Sequence, residues 1–168
     1  KAVDMHIRQI LTVFMLLLSG VAMAGSKYSI LNNALVLPED IQFEQHAYDV
    51  KNPDDPMLEL VAQYLMERPD ITKLRIEGHV YTEKTPEQNM KLSLQRAAMI
   101  SYYLTTKGVD CSRLLPVAFG DTRPVAPTDE CNLHVNTRID FYNAELNKML
   151  LGMSADGYAL KIYNPCEE

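Results

Sequence analysis

The chain has 168 residues, enough for one compact domain with tails and too few for two full domains. Hydrophobic residues make up 47% and charged residues 23%, which is typical of a globular protein and excludes a low-complexity chain. Because nucleic acids and anionic membrane surfaces are bound by basic patches, the net charge of −6 disfavours both as partners.

Residues 1–24 are predicted to be a secretory signal peptide. Arg8 precedes the apolar run ILTVFMLLLSGVAMA, and Ala22-Met23-Ala24 supplies the small residues that signal peptidase accepts. A run of about 15 apolar residues is short for a membrane span. Cleavage after Ala24 is the first interpretation, and a retained membrane anchor is the alternative. Export would place the protein in a compartment where disulfides persist.

The first elements after residue 24 are short. Residues 25–40 are predicted to be an edge strand or a tether. Ile41 and Phe43 alternate with polar residues, which predicts a half-buried strand at 41–44.

A helix and a strand follow. Pro56 stands behind an Asp cap and is expected to open a helix that ends at Pro69. Its apolar residues recur at helical spacing: Leu58, Val61, Ala62 and Leu65. The sequence KLRIEGH at 73–79 alternates apolar and charged residues and predicts a second strand.

The second predicted helix has the clearest boundaries. Thr85, Pro86 and Gln88 form a capping-box sequence, in which Thr85 caps the helix and Gln88 reaches back to the cap amide. Gly108 tolerates the left-handed conformation that ends helices. The apolar stripe of this helix is Met90, Leu94, Ala97, Ser101 and Leu104.

The last third of the chain predicts further strands. LLPVAFG at 114–120 reads as a strand in which Pro116 indicates an edge position or an unpaired end, and RIDFY at 138–142 reads as another. AELNKMLLG suggests a short helix, and YALKIYNPCEE a terminal strand. The order β-α-β-α-β-loop-β predicts an α+β sandwich with helices packed on one face of a small sheet.

The cysteines give a partial constraint. One disulfide and one free thiol are the simplest arrangement of Cys111, Cys131 and Cys166, and all three pairings remain open. Their spacing fits no zinc site, and His46 and His134 have no ligand partners at metal spacing. No metal or other cofactor is expected.

One stripe of the second helix suggests a binding site. Asn89, Ser93 and Arg96 recur at offsets of four and three residues, so they share one azimuth at the rim of the buried face. The free amides of the first helical turn face the loop that leaves Gly78-His79, and a small anion would find amides and a guanidinium there. Alternatively, Arg96 covers a helix edge and pairs with an acidic neighbour while the other two are solvated.

An ordered set of motifs now indicates a family. The motifs are IEGH at 76–79, N...LS..RA at 89–97, YL...GVD..RL at 103–114, FGDTRPV at 119–125 and NTRID at 136–140. Together they resemble the OmpA-like peptidoglycan-binding domain, whose family includes the C-terminal part of OmpA, Pal and MotB. The resemblance spans residues 41–142 and implies a small mixed sheet. It divides the chain into a segment at 25–40, a domain at 41–143 and a C-terminal extension at 144–168.

The resemblance implies a non-enzymatic module that binds the diaminopimelate of the peptidoglycan stem peptide. Arg96 would grip the carboxylate in a bidentate fork, as guanidinium geometry favours. Asn89 corresponds to the family asparagine before the motif, and Arg138 would brace the pocket floor. The loop 45–47, with His46 at its centre, would line the opposite wall.

One position departs from the family. Where the family has an aspartate that pairs with the ligand ammonium, this chain has Tyr81, and Glu83 is the nearest substitute carboxylate. Without a charge there, affinity is expected to weaken while the fold survives. His79 is interpreted as structural, with its side chain hydrogen-bonded to the neighbouring loop.

Two functions remain open. One is an anchor that holds peptidoglycan in the periplasm, at the outer membrane or cell wall of a Gram-negative bacterium, together with other cell-envelope proteins. The other is a structural subunit of a secretion-system or flagellar complex in which peptidoglycan binding is weak or lost. No set of residues supports an enzyme. The apolar tail is expected either to add a strand or to form an interface.

Overall fold

The computed structural model describes residues 28–82, 84–151 and 161–167. Its strands are β1 (Ser29–Leu31), β2 (Ala34–Val36), β3 (Ile71–His79), β4 (Leu114–Gly120), β5 (Arg138–Leu146), β6 (Met149–Leu150) and β7 (Lys161–Ile162). Its helices are α1 (Pro56–Glu67), α2 (Pro86–Thr106) and the single turn α3 (Leu133–Asn136). Short 3-10 turns at Cys111–Arg113 and Glu130–Asn132 precede β4 and α3.

The strands form one mixed sheet in the order β1-β2-β5-β3-β4-β7, and β6 pairs with the far end of β5. The central strands β3 and β4 run parallel, and the other pairs are antiparallel. A parallel pair needs a crossover connection, which α2 provides. The predicted α+β fold with helices on one face of a small mixed sheet is confirmed.

Local sequence sets the helix boundaries. Asp55 caps α1 by accepting a hydrogen bond from the Met57 amide at 2.7 Å. The predicted capping box of α2 is present, with Thr85 and Gln88 each bonding the backbone of the other. Gly108 follows α2 with a φ of +93°, as a left-handed C-terminal position requires.

The core lies between the helices and one face of the sheet. Its fully buried members come from both helices and the central strands and include Leu58, Leu65, Leu74, Ile76, Ile100 and Leu104. Because strand side chains alternate between faces, Arg75, Glu77 and His79 point to the opposite face. Charged groups of β3 are thereby kept apart from the apolar core.

The contact between α2 and β3 is closest at Gly78. A Cβ atom built on Gly78 would lie 2.1 Å from the backbone oxygen of Ser93. This approach needs a residue without a side chain. It fixes the first half of α2 over the ends of β3 and β4, where the site described below begins.

Two predicted elements are wrong. The segment 41–44 is a loop that turns back on itself, with Lys51 N bonding Gln42 O and one isolated bridge from Phe43 to Val50. Its alternation reflects Ile41 and Phe43 packing against the core from a loop, since period-two burial does not require sheet pairing.

The predicted helix at AELNKMLLG is also absent. β5 continues to Leu146 and returns through a two-residue turn into β6. Asn147 and Lys148 have φ values of 48° and 65°, and this left-handed pair matches the twist of a tight hairpin. The helix propensity of Ala, Glu, Leu and Lys was overridden by pairing with the sheet.

The C-terminal segment closes onto the sheet. Cys111 and Cys166 form a disulfide, and Cys131 is exposed with a free thiol. The predicted terminal strand is β7, which pairs with β4. The predicted signal peptide lies outside the described residues. Within the part of the chain that is described, no helix combines the length and apolarity that crossing a bilayer requires.

Candidate functional site

Arg96 is a buried arginine whose charge has no acidic partner among the described residues. The Arg96 residue on α2 is 8% exposed. Its Nε atom donates a hydrogen bond to the Ala47 carbonyl at 3.0 Å, and its guanidinium carbon lies 4.6 Å from the centre of the Phe43 ring. Burial lowers the pKa of Arg96, yet an arginine remains protonated at neutral pH. A buried charge without a counterion is costly, so this guanidinium favours an anionic ligand.

A cavity of about 300 Å³ adjoins this guanidinium, a volume at the lower end for ligand pockets. Its walls carry two guanidinium groups and one carboxylate, from Arg96, Arg138 and Asp40. The remaining lining residues are Ile41, Gln42, Phe43, His134, Thr137 and Ile139. This arrangement suits a small ligand that carries a carboxylate and has room for a second, positive group.

Arg138 is the more compensated of the two cations. It begins β5 and donates from Nε to the Asp140 carboxylate at 2.9 Å. Its Nη1 lies 3.4 Å from the carbonyl oxygens of Arg123 and Asn136. Arg138 is therefore held in place on the cavity wall by these contacts, while Arg96 carries the less neutralised charge.

Behind Arg138 lies a buried ion network on the sheet face opposite the helices. Arg75 pairs with Glu77, and the Nε2 atom of His79 lies 3.4 Å from both the Glu77 and the Asp140 carboxylates. The His79 ring stacks on Phe119 at 5.4 Å. The expected hydrogen bond from the His79 side chain to a loop is wrong, because neither nitrogen of this buried ring has a hydrogen-bond partner among the described residues.

The ligand atoms of Glu77, His79 and Asp140 lie within 4.8 Å of one another, a spacing that could suit a metal ion. Both carboxylates are already paired with guanidinium groups, Glu77 with Arg75 and Asp140 with Arg138. The positive charges surrounding this trio disfavour a further cation. It is better described as an internal ion network that holds Arg138.

Asn89 and Ser93 do not line the cavity with Arg96. Asn89 is fully buried, accepts from Thr82 Oγ1 at 2.6 Å and donates to Asp121 at 3.0 Å. Ser93 Oγ accepts from the Gly120 amide at 3.0 Å. The expected position at a solvent rim is wrong for both residues, because the loops that follow β3 and β4 close over them.

Two other predicted site residues lie near the cavity, and a third is not described. Tyr81 exchanges two hydrogen bonds with the Thr137 hydroxyl, at 2.9 and 3.0 Å, so its backbone is attached to the cavity wall. His46 is exposed with a φ of 58° and precedes Ala47, but it does not line the cavity. Glu83 lies outside the described residues.

Sequence reasoning missed Asp40, Phe43 and Thr137 as lining residues. Thr137 lies inside the quoted motif NTRID, so its position was available as a signal. Phe43 belongs to the segment that was predicted to be a strand, and Asp40 immediately precedes that segment. Their place in the cavity depends on how that loop folds back across α2.

Comparison with known proteins identifies the fold. The sequence matches the OmpA family over residues 42–138. The peptidoglycan-associated lipoprotein of Rhizobium meliloti (strain 1021) is 30% identical over 112 residues, which are 67% of this chain and 61% of that protein. This chain therefore spans less than two thirds of that relative's length.

Solved structures agree with this match. The crystal structure of the peptidoglycan-associated lipoprotein from Burkholderia pseudomallei aligns with a TM-score of 0.56 at 29% identity, covering 63% of this chain and 91% of that one. The cell wall anchor of the T6SS from Pseudomonas aeruginosa has a TM-score of 0.57 at 21% identity, covering 68% and 85%, and shares the fold. Since the family match takes in more than half of the sequence, the chain belongs to the OmpA family.

Proposed function

We propose that this protein is a non-enzymatic peptidoglycan-binding protein of the cell envelope, and that Arg96 binds the diaminopimelate carboxylate of the stem peptide. The observation that carries the proposal is a buried guanidinium that faces a cavity and has no ion pair within the described residues. The relatives named for their association with peptidoglycan support the same ligand class.

The chemistry follows from how Arg96 is held. Its Nε atom is engaged by the Ala47 carbonyl, so the two Nη nitrogens remain for a ligand. A carboxylate that accepts two parallel hydrogen bonds from a guanidinium forms the strongest common pair of this kind. It would also neutralise the buried charge, and Arg138 would add a second positive group on the same wall.

The ligand ammonium needs a different partner from the one the family uses. Tyr81 offers no charge, and its backbone is tied to Thr137. Asp40 is the acidic residue among the cavity-lining side chains, and we assign it to the ammonium. The carboxylate and ammonium of one zwitterionic ligand would then be bound from different walls.

A second candidate is a structural subunit that uses the same fold for protein contacts. Two observations favour it. The β5–β6 hairpin exposes Met149 by 68% and Leu150 by 80%, and Tyr81 stands where the resemblance implies an aspartate. Exposed apolar pairs of this kind are typical of protein interfaces. The two roles are compatible if the protein anchors an assembly to the cell wall from the periplasm.

Retention on purified peptidoglycan sacculi tests the proposal. Wild type should sediment with sacculi, and Arg96→Ala should lose at least about tenfold in affinity, because a hydrogen-bonded charge contributes about 1.5–3 kcal/mol. Arg68→Ala is the matched control, since Arg68 is exposed, pairs with Asp70 and lies outside the cavity. Equal retention of wild type and Arg96→Ala would refute the assignment.

A further inference from the structure

A second groove lies on the outer side of α2, next to the Arg96 site. Its volume is about 300 Å³, and it is lined by Tyr48, Gln95, Ala98, Met99, Tyr102 and Tyr163. Three of these six residues are tyrosines, and all three are exposed, Tyr102 by 60%. We call this surface the tyrosine groove.

The floor of the groove is a second stripe along α2. Gln95, Ala98, Met99 and Tyr102 recur at offsets of three, four and seven residues, so they share one face of the helix. Residues 97–106 contain no charged side chain. Solvated helix faces usually carry charge, and a face without it is characteristic of a binding surface.

The walls of the groove are fixed by other parts of the fold. Tyr163 follows β7, donates its amide to the Pro116 carbonyl at 3.2 Å, and stands three residues before the disulfide-bonded Cys166. The Tyr102 ring packs edge-to-face on Tyr103 at 5.7 Å. Two of the three tyrosines are therefore positioned before any ligand arrives, which lowers the entropy lost on binding.

Two residues that line the groove are sequence neighbours of residues at the Arg96 site. Tyr48 follows Ala47, whose carbonyl accepts the Arg96 hydrogen bond. Gln95 precedes Arg96 on α2.

The occupant is constrained by charge and size. No lining residue is charged, so the groove suits a neutral ligand with apolar faces and polar edges. Tyrosine rings combine an apolar face with a hydroxyl, and Gln95 adds an amide. Six lining residues are far fewer than the 20–30 that a stable protein interface uses on each side. The groove therefore suits a small ligand better than a protein partner.

We propose that the tyrosine groove binds the glycan strand of peptidoglycan while Arg96 binds its stem peptide. This inference rests on the proposed function, since a ligand that contains both sugar and peptide is needed to occupy the two sites together. Sugar rings stacked on Tyr102 and Tyr163 would contribute affinity that does not depend on the stem-peptide carboxylate.

The test titrates tetra-N-acetylchitotetraose, a peptide-free β-linked oligosaccharide, into the isotope-labelled chain and follows amide shifts by NMR. Saturable shifts at the tyrosine groove are expected below about 10 mM. Tyr102→Ala should weaken this binding at least about fivefold, and Tyr102→Phe should retain most of it because the ring remains. Arg68→Ala, which lies outside both sites, should leave it unchanged.

A parallel titration with a diaminopimelate-containing stem tripeptide separates the two proposals. If the tripeptide binds and the oligosaccharide gives no saturable shifts in wild type, the tyrosine groove is not a glycan site and the proposed function stands. If the oligosaccharide binds through Tyr102 and the tripeptide fails, the groove stands and the Arg96 assignment is overturned. Equal affinity of wild type and Tyr102→Ala for the oligosaccharide would also contradict glycan binding at the tyrosine groove. A defect of Tyr102→Ala that is confined to association with another protein would contradict it as well.

Discussion

The Nε atom of Arg96 donates a hydrogen bond to the carbonyl oxygen of Ala47 at 3.0 Å. This contact lays the guanidinium over the Phe43 ring and orients it without neutralising it, because a carbonyl carries no net charge. A carboxylate in the place of this backbone carbonyl would have neutralised the Arg96 charge and left less attraction for an anionic ligand. The loop that carries Ala47 therefore keeps a buried positive charge available to a ligand.

Because Asp40 is assigned to the ligand ammonium, Tyr81→Asp should tighten binding of the stem tripeptide by less than about threefold relative to Tyr81→Asn. The Tyr81 backbone is already fixed by Thr137, so the new carboxylate needs little reorganisation. Isothermal titration checks this, with Tyr81→Asn as the uncharged control. A gain of about tenfold for Tyr81→Asp over Tyr81→Asn would mean that the ammonium is unpaired in wild type and would contradict the Asp40 assignment.

Asp40→Asn should weaken the same binding by about three- to tenfold if Asp40 pairs with the ligand ammonium. The neighbouring Glu39→Gln is a matched control, because Glu39 is exposed and does not line this cavity. Affinities of both variants for the tripeptide give the comparison. An equal effect of the two substitutions would point to general electrostatic attraction and would remove Asp40 from the site.

Gly78→Ala should destabilise the fold by at least about 3 kcal/mol. The added Cβ would meet backbone atoms of Ser93 at 2.1 Å, and backbone cannot move aside as a flexible side chain does. Gly108→Ala, at a φ of +93° with Met66 at 3.5 Å, should cost about 1 kcal/mol. Urea unfolding of both variants measures the two losses in free energy of unfolding. A smaller loss of stability for Gly78→Ala than for Gly108→Ala would contradict the packing described for α2.

Cys166→Ser should lower the free energy of unfolding by about 2–4 kcal/mol, because the disulfide with Cys111 closes a long loop, with 55 residues of sequence separation. Cys131→Ser removes an exposed free thiol and should change stability little. Denaturant unfolding under non-reducing conditions measures both. Equal stability of Cys166→Ser and wild type would show that the disulfide contributes nothing to the stability of the folded state.

Local signals in the sequence predicted the central part of the fold. The capping box at Thr85 and Gln88 and the alternation in β3 are set by neighbours in the chain, so they can be read without a structure. The β5–β6 hairpin could not be read this way. Asn147-Lys148 is a weak turn signal in the sequence. The neighbouring Ala, Glu and Leu residues favour helix, yet in the structure they pair within the sheet.

The site was predicted in part. Arg96 and Arg138 line one cavity, although they lie 42 positions apart in sequence. Asn89 lies on the same face of α2 as Arg96, but loops cover it. The periodic pattern of apolar residues in the sequence does not predict where such loops run. Asp40 enters the cavity through a loop for the same reason. Helix geometry predicts on which face of α2 a side chain lies. Only the tertiary fold decides whether that face is accessible to a ligand.

The most direct test of the carboxylate assignment changes the ligand rather than the protein. Titration calorimetry should compare two stem tripeptides. In one, the diaminopimelate carboxylate next to the free ammonium is ionised, and in the other that same carboxylate is amidated. Wild type should bind the amidated peptide at least about tenfold more weakly, and Arg96→Ala should bind both peptides with equally low affinity. If wild type binds the two peptides equally well, the buried guanidinium of Arg96 does not recognise the cell-wall carboxylate.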